Sequence, residues 1–285
     1  MSSDDADQFA VQHFVFKLIV YINSMIISLK NKTALVGGAS QGLGYAVAWQ
    51  LADSGATVTL MARNEEKLRI LTSELPATEG QQHEYLVVDF ANLTSYKHII
   101  EDYFSNHTVD ILVNNTNGPK AGTVLEKTGA DYQAAFDLLF QTVQHTTALA
   151  VKHMKEQGFG RIINLTSRTI KEPVDSLALS NTIRAAVVAW GKTLSRDLGK
   201  YNITVNNILT GNFDTERLTE LFEAQAKAAN STIEAIKEKA IADIPLQRLG
   251  AAAELANVVT FLASEQAAYV TGTSIPVDGG LLKSI

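Results

Sequence analysis

Apolar and polar positions along this chain fall into two alternating kinds of segment. Short apolar runs are separated by longer segments in which apolar residues recur at helical spacing. The short runs predict strands, and the segments between them predict amphipathic helices. The predicted strands cover residues 33–36, 56–61, 84–88, 110–113, 161–165, 203–208 and 274–277. The predicted helices follow the glycines of 37–44 and the capping residue Asn64, and then cover 93–104, 130–156, 177–198 and 251–263.

This alternation predicts the fold class. Strands that alternate with helices form parallel sheets through right-handed crossovers. We therefore expect a single doubly wound Rossmann-type α/β domain, with a mostly parallel seven-stranded sheet flanked by helices. Residues 212–244 are charged, alanine-rich and helical in pattern. They would cover the carboxyl ends of the strands like a lid, where ligands bind in such sheets, or form an ordinary pair of surface helices.

Residues 1–24 differ from the rest of the chain. An acidic start precedes the apolar run 14–22, which argues against a signal peptide, and Lys17 interrupts a run that is short for a membrane span. This extension is an extra helix on the domain, a disordered lead, or the result of a start codon assigned ahead of Met25. Residues 25–285 are assigned to the dinucleotide-binding domain.

Composition narrows the function classes. The chain has 285 residues, 46% of them hydrophobic, and a net charge of −6, which fits a soluble cytoplasmic protein with a large core and gives no basic surface for nucleic acid. It contains no cysteine, so disulfides, thiolate metal sites and a cysteine nucleophile are excluded. The six histidines do not cluster, so no metal site is expected.

Residues 33–44 read TALVGGASQGLG and carry the strongest local signal. A strand, a glycine turn and a helix in this order place a helix N-terminus under a phosphate group. Gly38 permits the tight turn, Gly42 lets the backbone approach a diphosphate, and Gly44 lets the helix pack close to the strand. The spacing is not G-x-G-x-x-G, so this segment alone does not identify the site.

Four more motifs follow in order: VNNTNG at 113–118, IINLTS at 162–167, ITVNNI at 203–208, and VTG with VDGG at 270–280. Together with the glycine turn, they resemble the short-chain dehydrogenase/reductase family over about residues 29–283. The chain is most similar to the members that are 3-oxoacyl-[acyl-carrier-protein] reductases. The resemblance implies a nicotinamide dinucleotide and a small-molecule carbonyl or alcohol substrate.

The residues after the second strand indicate which dinucleotide binds. An NAD site needs a carboxylate there for the ribose 2′-hydroxyl, but this chain has Ala62 followed by Arg63. A guanidinium suits a 2′-phosphate, so we favour NADP, although a solvated arginine at a strand end is also common. The resemblance implies further cofactor contacts in the loop residues Gly38, Ser40, Gln41, Gly42, Leu43 and Gly44, and in Asp89, Phe90, Asn115, Arg184, Phe213 and Thr215.

The catalytic positions depart from the family pattern. Typical members use a serine, a tyrosine, a lysine four residues later and an asparagine on the long helix. Here Ser167 occupies the serine position, whereas Ser180, Arg184 and Leu139 occupy the other three. An aliphatic hydroxyl is a much weaker acid than a phenol. Arginine stays charged, so it can anchor a ribose or polarise an oxygen but cannot shuttle protons.

Two hypotheses follow. In the first, the protein is an NADP-dependent oxidoreductase that reduces a 3-oxoacyl group or similar ketone through a non-standard proton donor. Lys171 is the best candidate donor, because a lysine partly desolvated beside Arg184 would have a lowered pKa; an ordinary exposed loop lysine is the alternative, and Lys120 is a weaker candidate. In the second, the protein is a catalytically silent NADP-binding sensor or scaffold subunit.

Two further expectations concern surfaces. Family resemblance suggests a homotetramer or dimer packed through helices 130–156 and 177–198, where small residues either make close helix contacts or merely pack on the sheet. An apolar pocket wall is predicted on the covering segment, although the sequence does not identify the substrate. The small residues are Ala178, Ala185, Ala186 and Ala189, and the predicted wall residues are Phe213, Leu218, Leu221 and Phe222.

Overall fold

The computed structural model describes residues 27–284, so the predictions for residues 1–24 lie outside the described part of the chain. The described part contains one seven-stranded sheet in the order β3-β2-β1-β4-β5-β6-β7, and every pairing is parallel. The strands are β1 (Thr33–Gly37), β2 (Thr57–Ala62), β3 (Glu84–Val87), β4 (Ile111–Asn114), β5 (Gly160–Leu165), β6 (Ile203–Thr210) and β7 (Ser274–Val277). The doubly wound architecture is confirmed.

Helices connect the strands and cover both faces of the sheet. They are α1 (Gly42–Asp53), α2 (Glu65–Glu74), α3 (Leu93–Asn106), α4 (Gly129–Phe136), α5 (Thr142–Gln157), α6 (Ala178–Leu198), α7 (Glu216–Ala229), α8 (Ile233–Ala242) and α9 (Ala252–Ala263). A π-helical segment (Asp137–Gln141) joins α4 to α5, so the single long helix predicted over 130–156 is observed with a bulge inside it.

Alternate residues of the central strands enter two separate cores, as expected for a sheet buried on both faces. On one face, Val36, Leu60 and Val113 pack with apolar residues of α1, α2 and α9. On the other face, Leu35 and Leu112 pack with residues of α3, α5 and α6. Because both faces are covered, the exposed chemistry of the sheet is confined to the ends of its strands.

A row of buried amides fixes the carboxyl ends of three neighbouring strands. Asn114 of β4 donates to Asn164 of β5 at 2.8 Å, and Asn164 donates to Asn207 of β6 at 2.9 Å. Asn114 also donates to Thr147 of α5 at 3.2 Å. Each buried amide thus has a partner, which is the condition for burying it without a large energetic cost.

The covering segment forms the two predicted helices, α7 and α8. Thr215 and Thr232 cap them by accepting from Leu218 N and Ala235 N. On α6, Ala185 and Ala189 are exposed, so these two small residues do not pack on the sheet. Across residues 27–284, no helix has both the length and the apolar character that a membrane crossing requires.

Candidate active site

A cleft of about 1010 Å³ runs along the carboxyl ends of β1, β2, β4, β5 and β6. Its floor is formed by the strand ends, and α7 and α8 cover it. Fourteen of the predicted site residues line it: Gly38, Ser40, Gln41, Gly42, Leu43, Gly44, Arg63, Phe90, Asn115, Ser167, Ser180, Arg184, Phe213 and Thr215. The predicted wall residues Leu218, Leu221 and Phe222 also line it. The structure therefore brings nearly all of the sequence-predicted residues to one site.

The glycine loop presents free amide donors to this cleft. Gly38 and Gly42 have φ values of +56° and +55°, where a side chain would be strained. Gln41 is the N-cap of α1, but its side chain makes no capping hydrogen bond, so the first N–H groups of α1 are left without a side-chain acceptor. These donors, together with the positive end of the helix dipole, form a site suited to an anionic group.

Asn115 holds the glycine loop against β4. Its Nδ2 donates to the Gly37 carbonyl oxygen at 3.0 Å. A Cβ atom on Gly38 would lie 2.7 Å from Asn115 Nδ2, and one on Gly44 would lie 2.9 Å from the same atom. The asparagine therefore has a structural role in the loop. Glycine is required at position 38 because no side chain fits beside the amide, and at position 44 chiefly because a Cβ atom would overlap the Gly38 carbonyl group.

The end of the cleft next to β2, here called the far end, is basic. Arg63 follows β2, and Asn64 caps α2 by accepting from Lys67 N at 2.9 Å. Lys67 Nζ donates to Gln41 Oε1 at 3.2 Å, so its ammonium group lies between α2 and the glycine loop. The sequence reasoning missed Lys67 as a site residue, although its position one helical turn beyond Arg63 was a usable signal.

Ser167 is held with its proton free to donate. It caps a short 3₁₀ turn (Arg168–Ile170) after β5, and its Oγ accepts from Thr169 N at 3.2 Å and from Thr169 Oγ1 at 3.0 Å. Because both bonds use its lone pairs, the Ser167 hydroxyl proton can point to a ligand. Thr169, which sequence reasoning also missed, is therefore a positioning residue.

Ser180 and Arg184 lie one turn apart on α6 and both line the cleft. Within residues 27–284, the Ser180 hydroxyl has no hydrogen-bond partner, so it too is available to a ligand. Arg184 Nη1 donates to the Leu165 carbonyl oxygen at 2.8 Å. Burial, and then the nearby charge of Arg217, lower the pKa of Arg184 from 12.5 to about 10. The guanidinium therefore stays charged at neutral pH.

Two predicted site residues do not line the cleft. Lys171 is exposed at the end of the 3₁₀ turn, where its N–H donates to the Arg168 carbonyl oxygen at 2.9 Å. The prediction of a desolvated lysine beside Arg184 is wrong, because this turn directs residue 171 to solvent. Asp89 is also exposed, and its carboxylate accepts from Ala91 N at 3.0 Å. The weaker candidate Lys120 is exposed and likewise lies outside the cleft.

Leu139, at the asparagine position of the resemblance, lies inside the π-helical segment and is buried. It lines a void of about 10 Å³ with Asn114, Asn164 and Arg184. No tyrosine or histidine of the described chain lines the main cleft. The catalytic positions Ser167, Ser180 and Arg184 therefore offer two hydroxyl groups and a guanidinium in place of a serine hydroxyl, a phenol and an ammonium.

Comparison with known proteins places this arrangement in context. The family model described as enoyl-(acyl-carrier-protein) reductase matches residues 38–282. The chain is 33% identical to the NADPH-dependent reductase BacG of Bacillus subtilis, over 90% of this chain and 100% of that protein. It is 25% identical to the 3-oxoacyl-[acyl-carrier-protein] reductase FabG of Chlamydia muridarum, over 91% of this chain and 100% of FabG.

A solved structure of a related reductase has the same fold. The L-sorbose reductase of Gluconobacter frateurii, crystallised with NADPH and L-sorbose, superposes with a TM-score of 0.85 at 28% sequence identity. The superposition covers 92% of this chain and 100% of that structure. The likeness thus extends over the full sheet and the helices that form the cleft.

Proposed function

The chain belongs to the short-chain dehydrogenase/reductase family, and on this premise we propose that it is an NADPH-dependent reductase of small carbonyl compounds. The observation that carries the proposal is the continuity of one cleft. It joins the glycine loop and its basic far end to the Ser167, Ser180 and Arg184 group. The names of BacG and of the sorbose reductase complex support NADPH as the cofactor.

The residues present fit this dinucleotide. The uncapped N–H groups at the start of α1 would hold the diphosphate, and Arg63 and Lys67 would hold the 2′-phosphate. Phe90 would border the adenine, and Phe213 and Thr215 would border the nicotinamide. No acidic side chain of β2 or α2 lines the cleft, because Ala62 stands at the end of β2. A 2′-phosphate bound there would therefore meet no carboxylate of these two elements.

When bound, NADPH supplies a hydride to the carbonyl carbon, so negative charge develops on the carbonyl oxygen. The Ser167 proton, left free by the two bonds from Thr169, would donate to that oxygen. Arg184 would stabilise the developing charge from the partly buried wall of the cleft. Both groups are held before substrate binds, so little reorganisation is needed.

The remaining requirement is a proton. We propose that Ser180 gives its hydroxyl proton to the alkoxide while it takes one from water in the cleft, and that the hydroxide so formed is neutralised by a proton from bulk solvent. Its hydroxyl has no partner among the described residues, and it borders solvent-accessible space. A relay of this kind needs no free serine alkoxide, which an aliphatic alcohol forms poorly.

A second candidate function is a silent NADPH-binding sensor or scaffold subunit. It is favoured by the absence of any tyrosine or histidine from the residues of 27–284 that line the cleft. Incubation with NADPH and a panel of 3-oxoacyl thioesters, 2-oxo and 3-oxo acids, diketones and aldehydes separates the two. Consumption of reduced nicotinamide with any substrate supports the reductase. Tight NADPH binding with no consumption across the panel would identify the silent binder.

We further propose that residues 25–285 act as one unit in which 212–244 closes over bound ligands. The covering segment already reaches the glycine loop at Thr215, since a Cβ atom on Gly42 would lie 3.5 Å from Thr215 Cγ2. Limited proteolysis tests it: cleavage within α7 and α8 should slow in the presence of NADPH. A rate unchanged by NADPH would argue against closure.

We propose a homodimer or homotetramer through the helical segments 130–156 and 177–198, from the resemblance and from the exposed Ala185 and Ala189 on α6. Small exposed side chains allow close approach of a second helix. Light scattering coupled to size exclusion measures the mass directly. A monomer at micromolar concentration would reject this assembly.

A further inference from the structure

Arg184 is unusual for a partly buried cation. Its only hydrogen bond within residues 27–284 goes to the Leu165 carbonyl oxygen, and no carboxylate of that part pairs with it. A guanidinium has five N–H donors, so most of its hydrogen-bonding capacity is unused. Arg184 lines the cleft, so a ligand bound there can supply the partner that its remaining N–H groups lack.

A second guanidinium reaches the same part of the cleft from the covering helix. Arg217 lies in the first turn of α7, and its Nη2 is 3.6 Å from the position that a Cβ atom on Gly118 would take. Gly118 follows β4 and Leu165 ends β5, so the two cations stand over neighbouring strand ends. After burial, the positive charge of Arg217 is the second cause that lowers the pKa of Arg184.

Three acidic side chains, Glu216, Glu220 and Asp243, also line the cleft, and within residues 27–284 only Glu220 forms an ion pair with either arginine. Glu220 accepts from Arg217 Nη1 at 3.0 Å, but both side chains are about half exposed, and such a pair contributes little. Arg168, next to Ser167, adds another basic side chain to the same region. This local excess of positive charge contrasts with the net charge of −6 for the whole chain.

We propose that the substrate is an anionic carbonyl compound, an oxo acid whose free carboxylate lies between Arg184 and Arg217 while its carbonyl oxygen meets Ser167. The proposal rests on the reductase function and specifies its substrate class. A carboxylate would take up the unused donors of Arg184 and relieve the repulsion between the two cations. It would also attach α7 to the bound substrate, because Arg217 belongs to the covering segment. A thioester or ester, which lacks this charge, would leave Arg184 without an anionic partner and Arg217 with only its exposed pair to Glu220.

The test compares matched pairs of 2-oxo and 3-oxo acids with their methyl esters as substrates, with NADPH in excess. The acids should exceed their esters in kcat/KM by on the order of 10²-fold, since a site built for a polar group discriminates against the analogue that lacks it. Arg217→Gln should lower kcat/KM on the acid by roughly tenfold or more and change that on the ester by less than about threefold. Arg184→Gln should also reduce the acid-to-ester ratio, which loss of a ribose contact alone would not change.

Two controls sharpen the comparison. Arg196→Gln removes an exposed arginine from the last turn of α6, outside the cleft, and should leave the acid-to-ester ratio unchanged. Glu220→Gln frees Arg217 from its exposed partner and should keep or raise the ratio. Calorimetry adds a readout without turnover: oxamate should bind the NADP⁺-saturated protein, and oxamide should not.

Each outcome decides between the proposals. Esters reduced as well as acids, with a ratio unaffected by Arg217→Gln, would overturn the carboxylate site and leave the reductase intact. Arg217-dependent oxamate binding without turnover of any substrate would support the anion site and reject the reductase. Absence of both turnover and oxamate binding would reject both.

Discussion

The basic far end of the cleft makes the most direct prediction about cofactor choice. We expect Arg63→Gln and Lys67→Gln each to weaken NADPH binding while leaving NADH binding unchanged. Arg63 is exposed, and Lys67 is fixed only by its 3.2 Å bond to Gln41, so neither cation is shielded from solvent. Hydrogen bonds to charged groups contribute roughly 1.5–3 kcal/mol, and exposure reduces this to about 1–1.5 kcal/mol for each side chain.

That free energy corresponds to a loss of roughly five- to twelvefold in NADPH affinity for each variant. The simple product of the two losses is roughly 25- to 150-fold, and the double variant should lose less than this product if the two cations share one phosphate. Titration of intrinsic or nicotinamide fluorescence at two salt concentrations gives both dissociation constants. Higher ionic strength should weaken NADPH binding more than NADH binding.

The matched control is Arg69→Gln, which removes an exposed arginine from the same helix, outside the cleft. It should leave both affinities within about twofold of the starting protein, an estimate taken from the small effect of isolated surface charges. Equal losses for NADPH and NADH in the Arg63 and Lys67 variants would refute the assignment of these residues to a 2′-phosphate. A loss in the Arg69 variant as large as theirs would show that the effect is a general one of net charge.

Four further predictions follow from the site and its supports. Ser167→Ala should lower kcat on the order of 10²-fold with little change in NADPH affinity, measured by steady-state kinetics and fluorescence titration; unchanged kcat would remove Ser167 from the mechanism. Lys171→Met should keep full activity because Lys171 is exposed, and a loss beyond about tenfold in kcat would restore it as a proton donor. Arg184→Gln should make the protein without ligands more stable than the wild type to urea at neutral pH, because the folded state binds the Arg184 proton less tightly than the unfolded state. That advantage should shrink as pH rises through about 10, where folded wild type releases the proton and gains stability, and a difference independent of pH would contradict it. Arg161→Met should lower the free energy of unfolding by about 2–4 kcal/mol, because it leaves the Ser264 and Asn202 carbonyl oxygens without their buried donor. Urea denaturation measures this free energy. A loss below about 0.5 kcal/mol would show that water replaces the guanidinium.

Local pattern was enough to predict the sheet. Each strand is a short apolar run, and each helix between strands has its own apolar stripe, so residue spacing alone indicates their type and order. The glycine loop was predictable for a related reason. The positive φ values of Gly38 and Gly42 and the close contacts of Gly44 require glycine, and three closely spaced glycines are easy to recognise in a sequence.

The chemistry around the strand ends was less predictable, because it depends on where side chains point after the strands have ended. Lys171 is four residues beyond Ser167, yet a single 3₁₀ turn places one residue in the cleft and the other in solvent. Arg217 is distant in sequence from Arg184 and becomes its neighbour only when α7 folds over the sheet. Thr169 supports Ser167 through a local i,i+2 turn and through a second bond from its hydroxyl, and only the first of these follows a spacing rule.

The bulge at Asp137–Gln141 sets the rotational phase of everything that follows it on α5. An extra residue in one helical turn advances later side chains by about 100° around the axis. With that offset, Thr146 bonds Tyr96 of α3 at 2.5 Å, while the next residue, Thr147, accepts from Asn114 beneath the cleft. Removing one residue from the bulge would turn both threonines away from their partners at once. The bulge therefore fixes the rotation of α5 at which it contacts both α3 in the outer layer and β4 beneath the cleft.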